Sequence, residues 1–472
     1  MIVGSFLLFL GLFTLIGLSS VLHSRGTKQD YYLASSSIPP SLVGLSAVAT
    51  NNSGYMFIGV IGYTYATGLA SIWLMIGWIF GDFLAATIVH SRLRKQTEYT
   101  GEVSFAGVLS NWHGKPSPGL QRLAAAITLL FLLAYSSAQL VAGSKALQAL
   151  FGWPLWTGAV IGAVLVLAYC LAGGIRASIW TDAAQSVVMI LAMGILLFSA
   201  TQALGGIGAA ITEMNKVEGF MDLFPKDLVV PGLAGGILFA VGWAFAGMSV
   251  VGQPHIMVRF MTLNDASQMH RAKLWYYVWF IAFYAMATGV GMLSRIYLSE
   301  PGTFDSELAL PMMALEVLPP FLVGLILAGV FAATMSTADS LILSCSSALT
   351  HDLLPHNIED TRLLKIGTGL ITLLALVWAL FNKQSVFSLV IMAWSGLASA
   401  FAPLIFFKCF GGHPGKATSL VAVVVGLAVA LGWRAMGWHT AIYEGMPGIL
   451  AGLLVLSLPL LVKKGLSGKR PI

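Results

Sequence analysis

A carboxylate and a row of hydroxyls lie within one apolar stretch of the chain, residues 332–347, which reads AATMSTADSLILSCSS. A spacing of three or four residues places on one helix face Ser336, Asp339, Ser340, Ser344 and Ser347. A carboxylate at bilayer depth costs about 2.5–3.5 kcal/mol, so this one is expected to have a partner. Oxygen ligands without neighbouring His or Cys suit a small hard cation and disfavour zinc or copper. The stretch therefore predicts a membrane protein that handles ions.

The composition of the chain is that of an integral membrane protein. Hydrophobic residues make up 57% of the 472 residues and charged residues only 9%, whereas a soluble domain has roughly 25% charged residues. The net charge of +6 does not require a nucleic-acid partner, because membrane topology explains the positions of Lys and Arg. The cysteines, Cys170, Cys345 and Cys409, fall in or beside apolar stretches and are interpreted as packing residues.

Apolar spans close to or above the roughly 20 residues that cross a bilayer recur along the whole chain. We count thirteen, near 2–22, 40–66, 70–91, 121–147, 155–173, 183–204, 231–258, 274–297, 320–349, 364–381, 386–407, 417–433 and 446–462. If the amino terminus is outside, 19 of the 25 Lys and Arg residues fall in segments that face inside. The positive-inside rule therefore predicts an external amino terminus and a cytoplasmic carboxyl terminus.

Two of these spans contain residues that do not suit a continuous helix. The second span includes TNNSG at 50–54, and the seventh includes GMS at 247–249 followed by GQP at 252–254. Pro254 cannot donate a backbone hydrogen bond and clashes with the preceding turn, so the helix should unwind there. Unwound backbone at membrane depth must be buried in protein or face a wet cavity. Because the two spans are five apart, they indicate two inverted five-helix repeats with an ion and substrate site between them.

Features that would indicate other classes of protein are missing from the sequence. There is no P-loop, no GxGxxG in a βαβ setting and no CxxC, so the chain is not expected to be an enzyme. One loop resembles a zinc site in residue types alone, but it is interpreted as a solvated cytoplasmic loop. Its residues are His351, Asp352, His356, Glu359 and Asp360.

Longer motifs resemble one known family. They are DYYLASSSIPP (30–40), SAVATNNSGYMFIG (46–59), YSSAQLVAGSKAL (135–147), GGIRASIWTDAAQSVVM (173–189), GQPHIMVRFM (252–261), MSTADSLILSCSSALTHDL (335–353) and AWSGLASAFAP (393–403). The chain resembles the sodium:solute symporter family, and within it the sodium/proline symporter branch. The resemblance implies an all-α membrane protein of about 13 transmembrane helices with a leucine-transporter-type core of two inverted five-helix repeats.

The expected organisation divides the chain into five parts. Residues 1–39 hold the first transmembrane helix and a cytoplasmic loop, and residues 40–204 form the first repeat. Residues 205–230 are an external loop, and residues 231–407 form the second repeat. Residues 408–472 hold two peripheral helices and a cytoplasmic tail.

The resemblance also implies cation ligands. The family's principal sodium site corresponds to the backbone carbonyls of Ala49, Asn52 and Ala333 and the hydroxyls of Ser336 and Thr337. Some members have a second cation site, whose matching positions are Asp182, Ser336, Asp339 and Ser340. Simpler roles stay open: Asp182 as a helix amino-terminal cap, hydrogen bonds of Ser336 and Thr337 to the preceding turn, and a helix-packing hydrogen bond of Asp339.

The substrate side departs from the proline branch. The positions expected to bind substrate are Asn51, Ser53, Gly54, Tyr135, Gln139, Trp243, Ala246, Val250 and Pro254. Proline carriers typically have an aspartate at the position of Asn51, and we hypothesise that Asp339 supplies that carboxylate instead. They have aromatic residues at the positions of Ala246 and Val250, which predicts a larger pocket here. Proline is the first candidate substrate, and another amino acid or a small carboxylate remains open.

The sequence thus predicts a sodium-coupled symporter that imports a small organic solute by alternating access. It is expected to function as a monomer in a bacterial inner membrane, with Na⁺ as coupling ion and without an organic cofactor. The alternatives are a proton-coupled or small-carboxylate carrier of the same fold, and a nutrient-sensing module that acts with a separate partner protein.

Overall fold

The computed structural model describes residues 1–467 except 227, 229, 300, 301, 355–357 and 383, and describes side chains as far as residue 459. This part of the chain contains α-helices and no β-strand, as the sequence predicts. The helices are α1 (Ile2–Ser19), α2 (Lys28–Leu33), α3 (Pro40–Asn51), α4 (Ile61–Thr67), α5 (Ile72–Thr100), α6 (Phe105–Asn111), α7 (Pro118–Phe151), α8 (Leu155–Gly173), α9 (Ile175–Ala203), α10 (Ile207–Asn215), α11 (Gly232–Met248), α12 (Pro254–Met261), α13 (Met269–Tyr297), α14 (Ala309–Val317), α15 (Pro320–Ser347), α16 (Thr361–Phe381), α17 (Val386–Cys409), α18 (Lys416–Ala435) and α19 (Gly445–Ser467).

Eleven helical segments of the described residues are long and apolar enough to cross a membrane. One of them, Tyr55–Thr100, joins the second half of the second predicted span to the whole of the third. The last apolar helix is shorter over its described side chains, at Gly445–Pro459. A multi-pass membrane protein is therefore confirmed, while the number of thirteen transmembrane helices stays a prediction.

The helix breaks occur at the residues that the sequence indicates. Helix α3 ends at Asn51, Asn52 has φ −90° and ψ 65°, and the chain resumes as a π-helical turn at Tyr55–Val60. Gly54 allows a close approach to α15, because a Cβ at this position would lie 2.5 Å from Thr334. Polar residues and a glycine thus end the helix where another helix crosses it.

The second break follows α11. A short 3₁₀ turn, Ser249–Gly252, leads to Gln253 in an extended conformation, and α12 then starts at Pro254. Proline suits the first position of a helix because its missing N–H would have no intrahelical partner there. The side chain of Gln253 donates to the carbonyls of Ser249 at 3.1 Å and Trp394 at 2.8 Å. These bonds satisfy part of the backbone that unwinding exposes.

Helix α15 runs through the centre of the protein and packs against α1, α7 and α9. Most of its residues are buried, including all those from Val323 to Leu343. Helix α3 packs between α9 and α13 and also contacts α12 and α15. The ends of both broken helices therefore meet a continuous, enclosed helix that carries the polar residues of the 332–347 stretch.

Candidate cation and substrate site

The hydroxyl of Ser336 joins the continuous helix α15 to the broken helix α3. It donates to the carbonyl of Ala49 at 3.1 Å, across the two helices, and to the carbonyl of Ala333 at 3.1 Å within its own helix. All three residues have an exposed fraction of 0%. The structure thus brings together three of the five groups expected to bind the principal cation.

Thr337 repeats this arrangement one residue further along. Its hydroxyl donates to the carbonyl of Thr50 at 2.9 Å and to that of Ala333 at 3.2 Å. The backbone N–H and the side-chain amide of Asn52 both bond to the carbonyl of Val48 at 2.9 Å. Both hydroxyls therefore make the hydrogen bonds to the preceding turn that were the simpler alternative, and they also reach the carbonyls at the end of α3.

The oxygen atoms of these carbonyls and hydroxyls form a ligand set that fits a dehydrated alkali ion. The groups are neutral carbonyl and hydroxyl oxygens, which replace the water shell of a hard cation, and no sulfur or imidazole lies among them. The described residues contain no group of three or more His, Cys, Asp and Glu side chains placed to hold a metal ion.

Asp182 does not cap a helix. Helix α9 begins at Ile175, which places Asp182 in the third turn rather than at the amino-terminal end. Its Oδ2 accepts hydrogen bonds from Ser46 at 2.6 Å and Thr50 at 3.5 Å. The capping alternative is wrong because the helix starts two turns earlier than the apolar pattern suggests.

An arginine lies where the second cation was expected. Nη2 of Arg259 is 3.4 Å from Oδ2 of Asp182 and 3.4 Å from Oδ1 of Asp339, and all three side chains have an exposed fraction of 0%. The same nitrogen also contacts the hydroxyls of Ser178 and Ser340. The partner that a carboxylate at bilayer depth requires is therefore a guanidinium. The sequence shows that residue 259 is an arginine, but it does not predict that this arginine lies between α9 and α15.

Four of the predicted substrate residues lie together at the first break. The hydroxyl of Ser53 is 3.2 Å from that of Tyr135, and the N–H of Gly54 donates to Oε1 of Gln139 at 2.9 Å. Tyr135 and Gln139 are one turn apart on α7, so both face the unwound segment. The ring of Tyr135 also lies edge-on to that of His255, with 5.4 Å between centroids.

Four of the remaining substrate positions, Trp243, Ala246, Val250 and Pro254, lie on the second broken helix. Trp394 donates to the carbonyl of Ala246 at 2.8 Å, and the carbonyl of Val250 accepts from the backbone N–H of Gln253 at 3.0 Å. Pro254 starts α12. Ala246 and Val250 therefore contribute backbone groups here.

Aromatic rings gather beside these residues. The ring centroids of Trp78 and Trp394 are 5.2 Å apart, and those of Trp78 and Trp243 are 6.4 Å apart. His255 lies 6.4 Å from Trp394, and neither of its ring nitrogens has a hydrogen-bond partner in the described part of the chain. Trp394 belongs to the AWSGLASAFAP motif, which could have drawn attention to it, whereas no pattern in the sequence marks Trp78.

Asn51 lies apart from the other substrate residues. Its Nδ2 donates to Oδ2 of Asp82 at 3.3 Å and also contacts the hydroxyl of Tyr276. The carboxylate next to Asn51 is thus that of Asp82 on α5, and the carboxylate of Asp339 is engaged by Arg259. The contact of Asp339 with Arg259, rather than with Asn51, disfavours the hypothesis that Asp339 supplies the carboxylate that proline carriers have at the position of Asn51.

The loop interpreted as solvated is partly buried. Oδ1 of Asp352, whose exposed fraction is 5%, accepts from Ser104 and Gln121 at 2.7 Å each. His351 contacts Glu102 at 2.9 Å, and this hydrogen bond holds the pKa of Glu102 below its usual range. The interpretation is therefore wrong for His351 and Asp352, because both lie in the π-helical turn Ala348–Leu353 that continues α15 and packs onto the chain that follows α5.

The remaining residues of this loop leave the zinc alternative without support. Glu359 is exposed and forms a salt bridge with Lys28 at 3.5 Å, while Asp360 caps α16. His356 lies outside the described residues.

Two discontinuous helices, neutral oxygens at one break and a group of polar side chains beside it are together typical of a secondary transporter. The structure therefore defines the class of protein as a membrane carrier.

A family model matches residues 31–426 of the chain, and its description is the sodium:solute symporter family. The chain belongs to the sodium:solute symporter family. The predictions of a transporter rather than an enzyme, and of this family, are confirmed.

Curated relatives align with nearly the whole chain. The high-affinity proline transporter PutP of Bacillus subtilis (strain 168) is 30% identical over 436 residues, which cover 90% of each protein. The sodium/proline symporter of Escherichia coli (strain K12) is 28% identical over 455 residues, covering 92% of this chain and 89% of the relative.

Solved structures match the fold at low sequence identity. A Na⁺-coupled sialic acid symporter in a substrate-bound outward-open state has a TM-score of 0.77, with 18% identity and 97% of each chain covered. The nucleobase-cation-symport-1 family transporter Mhp1, in a closed conformation with bromovinylhydantoin bound, has a TM-score of 0.62 and 15% identity, with 92% of this chain and 95% of that one covered. The leucine-transporter-type fold is thereby confirmed.

Proposed function

We propose that this protein is a sodium-coupled symporter that imports a small organic solute, with proline as first candidate, by alternating access. The observation that carries the proposal is the contact of Ser336 and Thr337 with the carbonyls of Ala49 and Thr50. An ion held by these oxygens connects the continuous helix α15 to the end of α3. Family membership and the names of the curated relatives support sodium as the ion and proline as the solute.

Sodium binding should organise the substrate pocket. The carbonyls of Ala49 and Asn52 lie within five residues of Ser53 and Gly54, whose partners Tyr135 and Gln139 are on α7. An ion that fixes the end of α3 therefore also fixes these contacts. Because each ligand favours the same arrangement, sodium and substrate should raise one another's affinity by the same factor.

One sodium ion per cycle is the stoichiometry that we propose. Arg259 provides a fixed positive charge between Asp182 and Asp339, so a second sodium ion would have to enter a site that already contains a guanidinium. One positive charge that moves through 100 mV supplies about 2.3 kcal/mol, or roughly 50-fold accumulation. Uptake should accordingly depend hyperbolically on the sodium concentration.

The remaining features of the proposal follow the sequence. Residues 40–204 and 231–407 are the two inverted repeats, the amino terminus is external and the carboxyl terminus cytoplasmic. The distribution of Lys and Arg supports this orientation. We further propose a monomer in a bacterial inner membrane that needs no organic cofactor.

The test is uptake of labelled proline into proteoliposomes with and without an inward sodium gradient. Unlabelled amino acids and small carboxylates are added in competition. We expect accumulation only with the gradient, a hyperbolic sodium dependence and competition by proline. Proline uptake that is equal in sodium and in choline buffers would contradict sodium coupling, and competition by another solute alone would replace proline as substrate.

A further inference from the structure

A second buried carboxylate, separate from the pair that Arg259 bridges, lies on α5. Asp82 has an exposed fraction of 0%. Its Oδ1 accepts from the hydroxyl of Tyr277 at 2.7 Å, and its Oδ2 accepts from the hydroxyl of Tyr276 at 2.7 Å and from Asn51 at 3.3 Å. Both carboxylate oxygens are therefore occupied by donors from two other helices, α3 and α13.

Within the described part of the chain, this carboxylate forms no salt bridge. Among the described residues no basic side chain lies within 4.0 Å of Asp82. Arg259, the buried cation of α12, is engaged by Asp182 and Asp339. A carboxylate buried without a counter-charge is costly as an anion, while three hydrogen-bond donors stabilise the anion. The two opposing effects leave both the charged and the neutral form accessible.

The helices packed around Asp82 supply no other titratable partner among the residues that the structure describes. Helix α13 presents Tyr276 and Tyr277, and α3 presents the neutral amide of Asn51. Helix α11 presents Gly247, where a Cβ would lie 2.8 Å from the backbone nitrogen of Asp82.

Further along α5 the neighbours are also uncharged or engaged elsewhere. His90, two turns beyond Asp82, stacks on Phe260 of α12 with 3.8 Å between centroids. One turn before Asp82, Trp78 meets Trp394 of α17. A change of charge at Asp82 is therefore felt mainly by the three residues that donate to it.

One of those residues ends the broken helix. Asn51 is the last residue of α3, and the carbonyl of its neighbour Thr50 accepts from Thr337. A proton added to Asp82 converts an acceptor oxygen into a hydroxyl donor, and at least one of the three hydrogen bonds must then break or reverse. A proton carried on Oδ2, the oxygen that accepts from Asn51 and Tyr276, would loosen the hold on Asn51 and on the carbonyls beside it.

We propose that Asp82 is a proton-binding site that controls the end of α3 and, through it, the affinity for sodium. The ligand is a single proton taken from water onto one carboxylate oxygen, and no other covalent bond changes. Deprotonated Asp82 holds Asn51 in the position seen here, and protonated Asp82 releases it. By reciprocal linkage, sodium binding should favour loss of this proton. This inference rests on the proposed sodium coupling.

Two measurements on the purified protein without substrate test the inference. The first is sodium affinity as a function of pH, followed by tryptophan fluorescence, and the second is the infrared pH-difference signal of a protonated carboxyl group. Sodium affinity should weaken by up to about tenfold per pH unit on the acid side, as one-proton linkage allows. In Asp82→Asn the affinity should no longer depend on pH, and the carboxyl signal should lose one component.

Two further variants keep the test informative if Asp82→Asn folds poorly. Tyr277→Phe retains the carboxylate and removes one donor to the anion, so the midpoint of the affinity curve should move to higher pH. Asp265→Asn changes an exposed carboxylate in the turn before α13 and should leave the curve unchanged. A folded Asp82→Asn protein with wild-type pH dependence and an unchanged infrared signal would overturn the inference. If sodium fails to bind at any pH while the infrared component is lost, the proton site stands and the proposed coupling ion is wrong.

Discussion

The hydroxyl of Ser336 lies 3.1 Å from the carbonyl oxygen of Ala49, across the contact between a continuous helix and a broken one. In an ordinary helix that carbonyl would accept a backbone N–H four residues later, at Ser53. The break at Asn52 removes this bond and leaves the oxygen free for a hydroxyl or an ion. Unwinding of α3 is thus what makes this carbonyl oxygen available to the cation that we propose.

Loss of Arg259 should destabilise the protein. Arg259→Met leaves Asp182 and Asp339 buried without a positive partner, and the removal of one member of a buried charged group typically costs about 3–5 kcal/mol. We expect a clearly lower melting temperature in detergent, with a smaller decrease for Arg259→Lys, which keeps the charge. Arg271→Met, at an exposed position of α13, is the control. Equal melting temperatures of Arg259→Met and wild type would mean that the contacts of Arg259 with Asp182 and Asp339 contribute nothing to stability.

The close packing of α5 on α11 should not tolerate a methyl group at Gly81. A Cβ at this position would lie 1.8 Å from the carbonyl oxygen of Ala244, which is backbone and cannot move aside. Gly81→Ala should lower the free energy of unfolding by about 1–3 kcal/mol through overpacking. It should also lower the yield of folded protein. Gly432→Ala on α18, where nothing lies within 4 Å, is the matched control. Normal stability of Gly81→Ala would show that the two helices are further apart than described.

Gln139 should support substrate binding by holding the backbone N–H of Gly54. Gln139→Leu leaves the buried N–H of Gly54 without its acceptor, which destabilises the ordered break by about 1–3 kcal/mol. Because we propose that substrate binds to the ordered break, this cost is equivalent to a loss of up to roughly 5- to 150-fold in affinity. We expect the half-saturating proline concentration to rise within this range while sodium dependence is retained. Gln202→Leu, at an exposed position near the end of α9, should be neutral. An unchanged proline affinity in Gln139→Leu would separate this contact from the substrate site.

The contact of Glu102 with His351 should add stability that depends on pH. Because the hydrogen bond from His351 lowers the pKa of Glu102, this stability is present above the ordinary pKa of about 4.3. It is lost as the pH falls through the lowered value. Glu102→Gln should therefore unfold more easily than wild type near neutral pH, by about 1 kcal/mol, and the difference should vanish in acid. A difference that grows in acid would contradict this sign.

The sequence predicts the two breaks well because their causes are local. Pro254 and the run of polar residues after Thr50 end a helix whatever surrounds them. The role of Arg259 could not be predicted in this way. This residue is 77 positions from Asp182 and 80 positions from Asp339 along the chain. The contact of Asp82 with Asn51 is equally non-local. Such pairs depend on how α5, α12 and α15 pack, which periodicity does not determine.

Sodium binding to the Ser336 and Thr337 variants tests the central claim most directly. The equilibrium sodium affinity of purified Ser336→Ala and Thr337→Ala is compared with that of Ser457→Ala, whose hydroxyl donates to the carbonyl of Leu453 in the preceding turn of α19. We predict that each of the first two weakens sodium binding by roughly 5- to 150-fold, the equivalent of about 1–3 kcal/mol, and that Ser457→Ala matches wild type. Wild-type sodium affinity in both folded site variants would contradict a cation site at the end of α3.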